Sequence, residues 1–331
     1  MLPISHIDDE RLILLFGLPR SGTTWVGKVF DSHPDVLYRH EPEAVTQLKG
    51  VPLFIEDAEV ERFEHTIRNY ADHLLGMSHP RVVGKRPLLP KRYLTPFQFR
   101  LHALSVLTAS MAARVAIQLP VYNPAKALPR GKVHVVWKSI SGFGRLPAIL
   151  RGLPHARAII IQRHPCGFVA SQIRGLKAGR FGDVSAFDAQ RSGRVSKRIR
   201  EQISARYGLS DADIDRLTVE ERFAWRWVIN HEQVLERTAG LLNCMSVWYE
   251  DLCCHPQETY QKLFEFAGLD WPDITTQFLG STVTKENSDY YSVFKNPLDS
   301  ATRWQRELSQ EAIERVLAVA SQSWVAETLF R

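Results

Sequence analysis

The sequence predicts an α/β chain, a parallel sheet with helices on both faces and helical insertions around that frame. Three observations carry the prediction. Four short apolar runs, Arg11–Phe16, Lys132–Trp137, Arg157–Gln162 and Cys244–Trp248, lack polar alternation, as strands buried on both faces do. Helical patterns lie between them, and strand–helix alternation is the mark of a parallel, doubly wound sheet. Hydrophobic residues make up 44% and charged residues 24% of 331 residues, enough apolar material for one large domain spanning residues 1–331.

Arg11–Phe16 is the clearest strand. A glycine turn follows it, then a helical pattern over Thr24–Asp31 and a second strand near Asp35–Tyr38. Asp57–Leu75 and Leu94–Leu119 carry helical periodicity and read as insertions. Pro120–Gly131 holds three prolines and a glycine, so it reads as a surface loop. Helices are then expected over Phe143–Arg151, Cys166–Gly175 and Val219–Arg237. Ala178–Gly208 is polar and basic, with Arg191, Arg194, Lys197, Arg198 and Arg200. It reads as a helix with a solvated face, the alternative being a lid.

The formal net charge is +6 and the pI about 9.2, which suits an acidic partner without choosing among nucleotide, sulfated glycan, nucleic acid and membrane surface. Trp225 and Trp227 lie within a helical pattern and suit core packing better than base stacking, so no nucleic-acid partner is expected. Cys166, Cys244, Cys253 and Cys254 show no zinc spacing, and adjacent Cys253 and Cys254 suit a disulfide poorly. A reducing, cytoplasmic compartment is the expectation. The N-terminus lacks the pattern of a signal peptide, and no apolar stretch is long enough to span a membrane. The histidines are scattered without H-x-x-x-H or H-E-x-x-H spacing, so no metal site is expected.

The strongest local signal is Gly17–Thr24, between the first strand and its helix. Backbone N–H groups of such a turn converge on an anion, and the helix dipole favours it. Gly22 permits close backbone approach, and Ser21, Thr23 and Thr24 offer hydroxyl donors. The spacing of Gly17 and Gly22 matches the triphosphatase loop G-x-x-x-x-G-K-[ST], but Thr23 stands where the lysine belongs and Arg20 brings a cation inside the loop. Standard ATP or GTP hydrolysis is therefore disfavoured.

Leu18–Trp25 resembles the 5′-phosphosulfate loop of sulfotransferases, in the arginine form of the tyrosylprotein and carbohydrate enzymes. The resemblance implies a P-loop type three-layer sandwich. It also implies that Arg20, Ser21, Gly22, Thr23, Thr24 and Trp25 hold the donor 3′-phosphoadenosine-5′-phosphosulfate (PAPS). Downstream, Arg163 ends a buried strand, where ligands bind in parallel sheets, and Ser171 lies about two helical turns further on. The pair is placed to grip one phosphate. It is similar to the family's 3′-phosphate motif R-D-P-x-x-x-x-x-S, with His164 in place of the aspartate and Gly175, beside Arg174, where many members carry another arginine.

Tyr249, within Trp248–Leu252, is similar to the family's Y-E-D-L segment and is a candidate nucleotide contact. Lys285–Asp289 and Phe294–Pro297, followed by Trp304, resemble its nucleotide-covering loop, with Ser288 and Lys295 as the candidate contacts. The Glu41–Pro42 pair is similar to one in carbohydrate sulfotransferases and implies that Glu41 takes the acceptor proton. His40 and Glu43 are rivals for that role. Lys138, at the end of an apolar run, and Arg20 are assigned to charge stabilisation. The implied acceptor is a hydroxyl, with carbohydrate favoured. The competing functions are a phosphoryl-transfer kinase and a non-catalytic protein that binds nucleotides or anionic polymers.

Overall fold

The computed structural model describes residues 7–55, 57–129, 131–178, 195–284 and 296–329. Among them, five strands form one all-parallel sheet: β1 (Leu12–Gly17), β2 (Val36–His40), β3 (His134–Ser139), β4 (Arg157–Gln162) and β5 (Cys244–Trp248). Their spatial order is β2-β3-β1-β4-β5, so the first strand lies at the centre. Its side chains alternate between two cores. Leu12, Leu14 and Phe16 pack with Trp137 and Ile160 on one face, and Ile13 and Leu15 pack with Val136, Ile159 and Ile161 on the other. Both sets are buried, which is why the run reads as continuously apolar.

Helices cover both faces. On the second face lie α1 (Thr23–Ser32) and a later group. On the first lie α2 (Val60–Gly76) and, further along, α5 (Leu146–Gly152) and α6 (Pro165–Lys177). Between α2 and β3 the chain forms α3 (Pro80–Val83) and α4 (Pro96–Ala112), the latter opened by a Thr95–Gln98 capping box. After α6 come α7 (Lys197–Tyr207), α8 (Asp211–Arg216) and the long α9 (Val219–Thr238), whose capping box is Thr218–Glu221. After β5 follow α10 (Tyr249–Cys254), α11 (Pro256–Phe266) and α12 (Asp273–Thr284). The chain closes with α13 (Pro297–Thr302), α14 (Trp304–Glu307) and α15 (Gln310–Ala320).

Two local expectations are sharpened. The strand expected to end at Tyr38 continues to His40, because the Arg39 guanidinium is buried and donates to the carbonyls of Leu74 (2.6 Å) and Leu75 (3.0 Å) at the end of α2. The loop Pro120–Gly131 also anchors the chain. It buries Val121 and Ala125, and Asn123 donates to the Leu75 and Met77 carbonyls. Within the basic stretch, α7 buries only Ile203, as a solvated helix does; Arg191 and Arg194 lie outside the described residues. No helix among the described residues is long and apolar enough to cross a membrane.

Candidate active site

The glycine turn is shaped by backbone demands that the sequence meets. Arg20 and Gly22 both take left-handed conformations, φ 76° and 85°. Ser21 N–H closes the turn on the Leu18 carbonyl (3.2 Å). Gly22 is the N-cap of α1 and no side chain caps that helix, so its first N–H groups face outward, as an anion requires. A Cβ on Gly17 would stand 2.7 Å from the Ile161 carbonyl, and one on Gly22 would stand 2.3 Å from the Tyr249 ring. Gly22→Ala therefore combines a strained φ with a ring clash. It is expected to cost about 1–3 kcal/mol in backbone strain alone and to lower nucleotide affinity at least tenfold. Thermal melting with and without ligand checks both.

Guanidinium groups knit the turn to the second motif. Arg163, at the carboxyl end of β4, donates from Nη1 to the Arg20 carbonyl (2.7 Å) and from Nη2 to the Ser300 carbonyl (2.7 Å). Its centre lies 4.7 Å over the Tyr249 ring. Arg20 Nε donates to Ser171 Oγ (3.2 Å), which also accepts from Arg174 (3.2 Å). A hydroxyl that accepts twice keeps one hydrogen to donate. Ser21 Oγ and Arg163 Nε are buried and unpartnered, so both have bonding capacity left. The turn, α6 and α13 thus meet around one cluster of guanidinium groups.

His164 does the work of an aspartate by other means. Its Nδ1 accepts from Cys166 N–H (3.2 Å) and caps α6. Such a cap needs a neutral ring. Burial, then the neighbouring Arg163, lowers the His164 pKa to about 4. The ring stacks on Trp304 at 4.6 Å, and His164 N–H donates to Glu250.

A second group sits along the same carboxyl edge. Register pairs His40 with Lys138 and Lys138 with Leu15 of β1, two residues before Gly17. Glu41 turns the chain at φ 47°, donates its N–H to the Lys138 carbonyl (2.9 Å) and ion-pairs with the fully buried Lys138 ammonium. His40 Nε2 lies 3.7 Å from the Glu41 carboxylate, and its Nδ1 shares a hydrogen bond with Tyr38 Oη (2.9 Å). Burial alone would raise the Glu41 carboxyl, but the charges of Lys138 and then His40 outweigh it and hold the pKa at about 2. Burial, then the Lys138 cation, pushes His40 down to about 3.

Glu43 occupies other ground. It accepts from Trp137 Nε1 (3.0 Å), and Trp137 and Lys138 point to opposite faces of β3. Burial raises its carboxyl to about 7 despite bonds from Ser139 and Trp137.

The Sulfotransferase family model matches residues 13–273. The chain belongs to the sulfotransferase family. A search of curated proteins found no match. Among solved structures, a mouse sulfotransferase complexed with PAP is 12% identical, with 95% of this chain and 85% of that one covered and a TM-score of 0.45. The sulfotransferase STF9 from Mycobacterium avium is 16% identical, with 96% and 76% covered and a TM-score of 0.41. The sulfotransferase domain from the curacin biosynthetic pathway is 14% identical, with 94% and 96% covered and a TM-score of 0.42.

In this sulfotransferase the structure brings Arg20, Arg163 and Ser171 together, with Ser21 next to Arg20 in the turn, and sets Glu41 against Lys138. Trp25 and Tyr249 are both engaged in packing. Trp25 is buried, donates to Thr282 (3.0 Å) and packs edge-on to Tyr249 and Tyr260. Tyr249 lies beneath the turn and under Arg163. Ser288 and Lys295 lie outside the described residues.

Sequence reasoning missed two lysines. Lys28, fully buried on α1, ion-pairs with Asp31 and donates to the carbonyls of Lys85 (3.1 Å) and Pro87 (2.6 Å). It thereby fixes the segment that brings Lys85 near Glu41. Burial, then the Lys138 cation, lowers the Lys85 pKa. An apolar helix face bearing a lysine was the one available signal for Lys28; Lys85 had none.

Proposed function

We propose that this sulfotransferase moves the sulfuryl group of PAPS to an acceptor hydroxyl, with a carbohydrate hydroxyl favoured. One observation carries the reading. Arg20, Arg163 and Ser171 close around an uncapped helix N-terminus, with Ser21 Oγ and Arg163 Nε buried and still unpartnered. These residues fit a nucleotide phosphorylated at both 3′ and 5′ positions. The turn and α1 would hold the 5′ end through Ser21, Gly22, Thr23 and Thr24. Arg163 and Ser171 would hold the 3′-phosphate, supported by Tyr249, with Ser288 and Lys295 as covering contacts.

PAPS supplies a sulfuryl group joined to a phosphate leaving group. Glu41 takes the proton of the acceptor hydroxyl as the new O–S bond forms, and the old S–O bond breaks with its electron pair left on the phosphate. Arg20 and Lys138 offer cations to that phosphate. A carboxylate held near a pKa of 2 is a weak base. When the Lys138 ammonium turns to the leaving phosphate, Glu41 loses the charge that depressed it and gains basicity. Proton uptake and charge neutralisation then depend on one ammonium.

The carbohydrate preference rests on the resemblance at Glu41–Pro42. The cytoplasmic location is supported by four unpaired cysteines. Thr23, in place of the triphosphatase lysine, argues against a kinase. Calorimetry with 3′,5′-adenosine bisphosphate and with ATP tests the donor reading. The bisphosphate is expected to bind more tightly, and tighter ATP binding would overturn the assignment.

A further inference from the structure

Helix α4 is apolar on both sides. Val106 and Ala109 face inward and are buried. The opposite face carries Phe97 (74% exposed), Leu104 (58%) and Met111 (58%), with Leu101 and Leu107 beside them. These positions recur at helical spacing and form one stripe about 20 Å long. The stripe continues past the helix through Val115 (69% exposed) and Ile117. Isolated surface leucines need no explanation, but a contiguous stripe of this kind marks an interaction surface.

Charge identifies the partner. Residues 77–132, the whole lobe that carries α4, contain ten lysines and arginines and no aspartate or glutamate. Among them Arg81, Arg86, Arg100, Arg114 and Lys126 are exposed. Arg100 lies on the stripe face itself, three residues after Phe97 and four before Leu104. A second copy of this chain would set these cations against their own kind across a two-fold axis. An anionic lipid surface meets both demands, taking the apolar side chains at the headgroup boundary and the guanidinium groups at the phosphates.

We propose that this sulfotransferase docks peripherally on anionic membranes through the outer face of α4. The inner side of the same lobe, through Phe99, His102 and Lys85, walls a cavity that also touches Tyr38, the partner of His40. Docking therefore leaves α4 between the bilayer and that cavity. The inference stands on the lobe alone and does not depend on the donor or acceptor assignment.

Co-sedimentation of the full chain with vesicles tests it, comparing phosphatidylcholine alone with phosphatidylcholine containing about 30 mol% phosphatidylserine. Binding is expected to the anionic vesicles only, and to weaken as salt is raised. Leu104→Glu with Met111→Glu, and separately Arg100→Glu with Arg114→Glu, should each lower the partition coefficient at least about tenfold. All four positions are solvent-facing, so the circular dichroism melting curve should not move. No binding to anionic vesicles, equal binding to both compositions or wild-type binding by both variants would overturn the proposal. So would a dimer in sedimentation velocity that Leu104→Glu dissociates, which would assign the face to a second copy.

Discussion

Glu41→Gln is expected to lower turnover by about 10²–10⁴-fold while 3′,5′-adenosine bisphosphate binds as before. Glutamine keeps the shape of the side chain and can still accept from Lys138, but it cannot take a proton. The substitution also leaves the buried Lys138 ammonium without its counter-charge, so a lower melting temperature is expected. Single-turnover rates taken well below that temperature, with bisphosphate affinity as the check on folding, separate the two effects. Retained turnover would pass the proton to His40.

The pH profile discriminates further. Burial pushes the Glu41 carboxyl up, but Lys138 and His40 outweigh it, and the pKa falls from 4.5 to about 2. As the proposed base, Glu41 stays ionised, and kcat/KM is expected to hold on the acid side from about pH 8 down to about pH 4. A limb near 7 would implicate Glu43, whose buried carboxyl titrates at about 7. The stability contributed by the Glu41 pair follows the same sign. A depressed carboxyl stabilises the fold above its unfolded value of 4.5, and that contribution is lost as pH falls towards 2.

Arg163→Ala is expected to weaken the bisphosphate by about 10²–10⁴-fold, since charged hydrogen bonds contribute about 1.5–3 kcal/mol each and two are at stake. The same guanidinium holds the Arg20 and Ser300 carbonyls and covers Tyr249, so its loss also loosens the turn. Adenosine 5′-monophosphate separates the causes. If Arg163 reads the 3′-phosphate, the preference for bisphosphate over monophosphate collapses in the variant. If it only braces the turn, both ligands weaken together. Arg163→Lys should recover little, because an ammonium cannot span two carbonyls and a phosphate with fixed geometry. Unchanged bisphosphate affinity would remove Arg163 from the site.

The parts of the site that were legible in the sequence depend on short-range geometry. A strand, a glycine turn and a helix start are consecutive, so Gly17–Trp25 declares itself. Arg163 and Ser171 share a strand end and two turns of one helix. Glu41 and Lys138 are harder, because their meeting depends on β2 pairing with β3 across the α2–α4 insertion. The resemblance supplied both residues; local pattern could not have paired them. Lys28 and Lys85 stayed hidden because long-range contacts alone bring a buried lysine to the carbonyls of a distant segment. Which of Glu41 and Glu43 would lie beside Lys138 was equally unreadable. It follows from the two faces of β3, and a loop sequence does not record which face each carboxylate will choose.

The central place of β1 has a cost during biosynthesis. The strand pairs with β3 on one side and β4 on the other, both encoded more than a hundred residues downstream. At a synthesis rate of about 5–20 residues per second, its apolar edge stays unpaired for several seconds after it is made. Parallel pairing of such high sequence separation is also slow to form. The nascent chain thus carries an exposed, aggregation-prone segment until β4 arrives. The strand that leads into the glycine turn is therefore made well before both of its partners and secured only after them, and the yield of folded enzyme should depend on chaperone capture of that interval.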